Sequence, residues 1–195
     1  MGARLDEMMA RMAELQAGIE EDLAAKRAEF KFRIERGRAV FDAEVRKQHR
    51  ALRVGLGTFL RRTRLMVVLT APLIYGLIVP LVLLDLCVSI YQRVCFPIYG
   101  ISRVKRADHI VFDRQWLVYL NLLQKMNCVY CSYGNGLISY VREIAARTEA
   151  YWCPIKHARR VAGRHDHYKD FVDYGDAEGW LVRQEALADG AAKKK

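Results

Sequence analysis

Cys128, Cys131, Cys153 and His157 fall in the order C-x2-C-x21-C-x3-H. Two thiolates three positions apart chelate one ion when a turn carries them, and a second pair at C-x3-H spacing completes the tetrahedron of a structural zinc site. The expected cofactor is therefore Zn²⁺. The alternative is redox chemistry on the same sulfurs: a Cys-Pro pair such as Cys153-Pro154 occurs at iron–sulfur cluster ligands, and C-x-x-C is the spacing of reactive dithiols. Packing is the plain competitor, because a free cysteine behaves as a small hydrophobe, and Cys87 and Cys95 read that way.

A zinc site of this spacing dictates what must position it. Residues 109–127, with Phe112, Trp116, Tyr119 or Leu120, and Leu123 on one face, read as a core helix. Asn135-Gly136 reads as a turn, and 137–152 as a second amphipathic helix stopped by Pro154. That second helix is about 24 Å long, so for the two ligand pairs to meet it must double back, or the preceding helix must bring Cys128 and Cys131 alongside its C-terminal end. His165 and His167 flank Asp166 in a basic stretch containing Lys156, Arg159, Arg160 and Arg164, and the expectation there is a solvated face.

The apolar residues are concentrated elsewhere. Leu65 to Leu84 is a run of twenty residues without charge, enough for a helix of about 30 Å, the thickness of a bilayer's hydrocarbon core. It reads as a membrane anchor over 65–101. Pro72 and Pro80 lie inside it, so a kink is expected, and Asp85 needs a partner, a proton or a boundary position. The 195-residue chain has a formal net charge of +10, and much of it abuts this run. Arg53, Arg61, Arg62 and Arg64 precede it, and Arg93, Arg103, Lys105 and Arg106 follow it, as cations for anionic lipid headgroups. Seven Lys or Arg before the run against four after it put the N-terminus inside. A single pass would export a half rich in cysteine, whereas a re-entrant hairpin bent near Pro80 keeps both halves cytoplasmic. Both topologies stay open, with the bulk of the chain expected on the cytoplasmic side.

From Arg4 to Arg64 there is no proline, and helix-forming residues dominate. Ile19, Phe30, Phe41 and Leu52 recur every eleven residues, as do Leu23, Ile34, Val45 and Leu56. Such a repeat keeps one apolar stripe nearly straight along a helix. The expectation for 1–64 is a long amphipathic arm, bent where Gly37, Gly55 or Gly57 weakens it, whose residues 5–56 self-associate or bind a protein partner. Asp22 with Lys26 and Glu29 with Arg33 have the i,i+4 spacing of a solvated helix. Nucleic acid is not the expected partner, since the basic block lacks interleaved aromatics for base stacking.

No nucleophilic triad, phosphate-binding loop, dinucleotide fingerprint or zinc-protease motif appears, so no reaction is assigned. The fold class expected is mainly α: the arm at 1–64, the anchor at 65–101, a small helical domain at 102–182 holding the Cys/His cluster, and a disordered tail at 183–195. The function expected is that of a membrane-anchored scaffold, adaptor or accessory subunit.

Overall fold

A computed structural model describes residues 2–35 and 38–192. The fold is mainly helical, and it divides into two compact units, Met1–Arg62 with Asp113–Met126, and Thr63–Phe112 with Asn127–Lys195.

In the first unit, α1 (Gly2–Glu29) ends where Lys31 adopts a left-handed φ of 51°. The chain then forms an antiparallel pair, β1 (Phe32–Glu35) and β2 (Arg38–Phe41), in register Phe32↔Phe41 and Ile34↔Ala39. Two short helices follow, α2 (Ala43–Ala51) and α3 (Leu56–Arg62). The continuous arm expected from the eleven-residue repeat is therefore broken. The reason is aromatic packing: Phe32 meets Phe41 across the strands at 5.4 Å, Phe41 meets His49 at 5.3 Å, and His49 meets Tyr119 at 5.4 Å. Period-2 pairing of Phe32 and Phe41 gains contacts that one exposed helical stripe does not. Of that stripe, Ile19, Leu23, Phe30, Ile34 and Leu52 are exposed, and Phe41 and Val45 are partly covered. The i,i+4 pairs do not form either; Lys26 pairs with Glu29 at 2.7 Å, and Arg33 with Glu35 and Asp42. Gly37, a proposed bend, lies outside the described residues.

Residues 109–120 are irregular apart from a single turn at Arg114–Trp116, so the core helix expected over 109–127 starts late. Asn121 sets the start. Its Oδ1 accepts from the Gln124 backbone N–H at 3.0 Å, and Gln124 Oε1 accepts from the Asn121 N–H at 2.9 Å, a reciprocal capping box.

The second unit is built on α4 (Leu65–Gly76), α5 (Ile78–Tyr99) and, from Asn127 onward, α6 (Leu122–Trp152). Leu77 separates α4 from α5, and the two form one helical stretch of 35 residues. The interruption follows from Pro80, which has no N–H for the Gly76 carbonyl four residues back. α5 runs through Pro80 to Tyr99, so the chain does not turn back at Pro80 as the hairpin reading required. α6 lies parallel to this stretch. Tyr75 bonds Asn127, Gly134 faces Leu81, Gln92 bonds Tyr140, and Tyr99 stacks on Tyr151 at 5.2 Å, each pair about fifty positions apart.

Parallel neighbours need a long return, and residues 100–112 supply part of it along α5 and α6. Gln92 pins this segment: its Oε1 accepts from the Val104 N–H at 3.0 Å, and its amide donates to the Tyr140 hydroxyl. Phe96, Val104, Ile110, Leu137, Tyr140 and Ile144 form the core. Gly136 is where the return passes closest, since a Cβ there would stand 2.7 Å from the His109 carbonyl oxygen. This contact explains why Asn135-Gly136 is no turn: the glycine serves a close approach from inside a helix, and Asn135 donates to the Cys131 carbonyl one turn back at 3.0 Å. After α6 comes a loop to Tyr174 and then α7 (Ala177–Ala192), so the expected tail is helical as far as Ala192.

Candidate functional site

The helical stretch Leu65–Tyr99 is long and apolar enough to cross a membrane. Its exposure has a direction. From Ala71 onward, α6 and the return segment cover Ala71, Tyr75, Leu81, Val88, Gln92 and Phe96, while Leu73, Val79, Leu83, Leu86, Ile90, Val94 and Ile98 face outward. Leu73 is 76% exposed and Ile98 74%, within a contiguous apolar stripe of the kind that marks a membrane or protein contact.

Asp85 is the one carboxylate of the stretch. Arg106 Nη2 donates to Asp85 Oδ2 at 2.6 Å, the Tyr133 hydroxyl to the same oxygen at 3.0 Å, and Ser89 Oγ to Oδ1 at 3.3 Å. Burial and the adjacent carboxylate push the Tyr133 phenol up, which keeps it a donor. Arg106 was expected among the headgroup cations; here it is committed to Asp85. Arg53, Arg61, Arg62, Arg64, Arg93, Arg103 and Lys105 are exposed. Between α4 and α6 runs a groove of about 510 Å³ lined by Val67, Ala71, Ile74, Tyr130 and Cys131, with the Tyr75–Asn127 bond at its edge.

The four expected metal ligands are not gathered. Cys128 and Cys131 lie within α6, and Cys153 follows its end. Cys128 and Cys153 are 25 positions apart on one helical rod, roughly 37 Å. The doubling back that would join them does not occur, and the donor set does not fit a single tetrahedral ion in one chain. His157 instead stacks on Tyr168, its backbone N–H donating to the Tyr168 hydroxyl at 2.7 Å. Among the described residues no group of three or more His, Cys, Asp or Glu is placed to hold a metal ion. All five cysteines are free.

The histidine pair, expected on a solvated face, folds onto α6. His165 Nε2 lies 3.0 Å from Glu149 and His167 Nε2 lies 3.3 Å from Glu143, which also receives Arg147 at 2.7 Å. Burial pushes the Glu143 carboxyl up, but hydrogen bonds from Arg147 and His167 outweigh it and hold it below the ordinary glutamate value. The sequence signal was the spacing of Glu143 and Glu149 opposite two histidines, legible only once the loop's return over α6 is known.

Compared with known protein families, curated proteins and solved structures, the chain matches none.

Proposed function

We propose that this chain is a membrane-anchored helical scaffold or accessory subunit, attached through the outward face of α4 and α5. The observation that carries the reading is the apolar stripe from Leu65 to Ile98, exposed along its whole length on the side opposite α6. From Leu65 to Ile98 is about 50 Å, against roughly 30 Å of hydrocarbon, and fitting that length across a bilayer needs more tilt than the ~40° seen at the extreme. A crossing would also carry the irregular return segment into lipid beside α6, where backbone groups outside helices find no partners. Both arguments favour a helix pair lying in the interface, its apolar face in the acyl boundary and its covered face toward water. Arg64, Arg93, Arg103 and Lys105 would then meet anionic headgroups, and both halves of the chain stay on one side, the cytoplasmic one by the excess of cations. The exposed Ile19 and Leu23 of α1 offer a surface for a protein partner or a second copy.

Attachment and sidedness are tested together. Membranes from cells expressing the full chain, tagged at both ends, are washed with alkaline carbonate and then treated with protease. The expected result is retention in the membrane pellet, with both tags digested from the same side. Release by carbonate, or tags on opposite sides, would sink the reading.

A further inference from the structure

The loop between α6 and α7 is a built structure. Its base is closed by the Lys156 N–H donating to Val172 O and the Val172 N–H donating to Pro154 O, both at 2.8 Å. Buried Tyr168 and Phe171 fill it, 5.5 Å apart. Arg142 fixes its far side, donating to the Gly163 and Arg164 carbonyls at 2.9 and 2.6 Å, where Gly163 holds a left-handed φ of 68°. Compact loops closed at the base and packed by their own side chains are frequent carriers of function.

This frame displays charge. An open recess of about 580 Å³ is lined by Lys156, Arg159, Arg160, Arg164, Tyr168 and Asp173. Four cations face one carboxylate, an excess of three, and that carboxylate is taken by Lys156 at 2.8 Å. The Arg164 guanidinium sits over the Tyr168 ring at 5.8 Å, which orients it. Arg159 and Arg160 are exposed at the rim. Holding several arginines around one concavity costs repulsion that an anion relieves, and guanidinium forks match the oxygens of a phosphate.

We propose that this recess binds a phosphate-bearing anion, either a lipid headgroup carrying a terminal phosphate or a small phosphorylated solute, with Arg159, Arg160 and Arg164 as the principal donors. The proposal does not rest on the membrane reading, because the recess belongs to the α6–α7 loop and not to the apolar stripe.

Calorimetric titration of the full chain in a zwitterionic detergent tests it, with pyrophosphate as the soluble probe and short-chain phosphatidic acid in mixed micelles as the lipid probe. Saturable binding of at least one probe is expected, weakened about tenfold or more in Arg159→Gln/Arg160→Gln. The variant Arg46→Gln/Lys47→Gln, which removes the same charge from α2, should leave the affinity unchanged. Binding of pyrophosphate alone assigns a soluble ligand, and of phosphatidic acid alone a headgroup. Saturable binding of neither probe, or equal weakening in both variants, would overturn the site. Both variants change exposed side chains, and an unchanged melting temperature verifies that each is folded.

Discussion

Arg106 reaches back from the return segment to Asp85 on α5, and the 2.6 Å bond between them ties the middle of the apolar stretch to the chain that lies over it. Asp85 is 14% exposed and Arg106 46%, so removing the guanidinium strands a mostly desolvated carboxylate while removing the carboxylate leaves a cation with access to water. Arg106→Gln is expected to lower stability by about 1–3 kcal/mol. Asp85→Asn should cost less, and the double variant should recover part of the loss. Thermal melts in detergent read all three; strict additivity of the two single changes would show that the pair is not coupled.

Two glycines two positions apart in α6, on different faces of the helix, should behave oppositely. A Cβ at Gly136 would sit 2.7 Å from the His109 oxygen and 2.9 Å from the Ile110 Cα, both backbone atoms that move only if the return segment moves. Gly136→Ala is expected to destabilise by about 1–3 kcal/mol. At Gly134 a Cβ would meet only the Leu81 side chain at 3.6 Å, an ordinary contact, and alanine there should stabilise by up to about 1 kcal/mol through helix propensity. Melting temperatures that fall equally in both variants would contradict this placement of the return segment.

Glu143 gives the acid limb of stability a specific residue. Its carboxyl is held below the ordinary glutamate value in the folded chain, so its contribution is fully present above that ordinary value and is lost as pH falls through the lowered one. Melting temperature measured from about pH 6 down to about pH 3 should therefore drop less steeply in Glu143→Gln than in the wild type. An unchanged slope would mean that the contacts of Arg147 and His167 do not favour the ionised form.

The cysteines provide a check on the separation along α6. With Cys128 and Cys153 roughly 37 Å apart, Cys128→Ser and Cys153→Ser should change stability independently and add in the double variant. A shared ion would give the opposite, each single change costing as much as both. Elemental analysis of the three variants beside the wild type distinguishes these results.

The helical class and the apolar stretch were legible in the sequence because both rest on local signals: missing prolines, helix-forming residues and an uncharged run. The breaks were not. The eleven-residue repeat is real as a pattern, but Phe32 and Phe41 find more contact across a strand pair than along a helix, and the pairing is visible only with His49 and Tyr119 in place. Asn135-Gly136 has the composition of a turn, yet Gly136 is needed where another segment crosses the helix, a demand that arises from tertiary packing alone. The chain reversal that the metal expectation relied on is missing at the same point, because a turn there was what would have brought Cys128 and Cys131 toward Cys153. The capping pair Asn121 and Gln124 is present in the sequence as N-L-L-Q, but the apolar spacing from Phe112 to Leu123 points to an earlier helix start.

The most direct measurement is depth-dependent quenching of single tryptophans by lipids brominated along the acyl chain. Leu73→Trp, Leu83→Trp and Val94→Trp would be placed one at a time in a chain carrying Trp116→Phe, Trp152→Phe and Trp180→Phe, and reconstituted in vesicles. An interfacial helix pair gives quenching at all three positions from a similar, shallow depth. No quenching at any position would contradict membrane attachment through this face, and a deep maximum at Leu83 with shallow values at either side would show that the stretch crosses the bilayer instead.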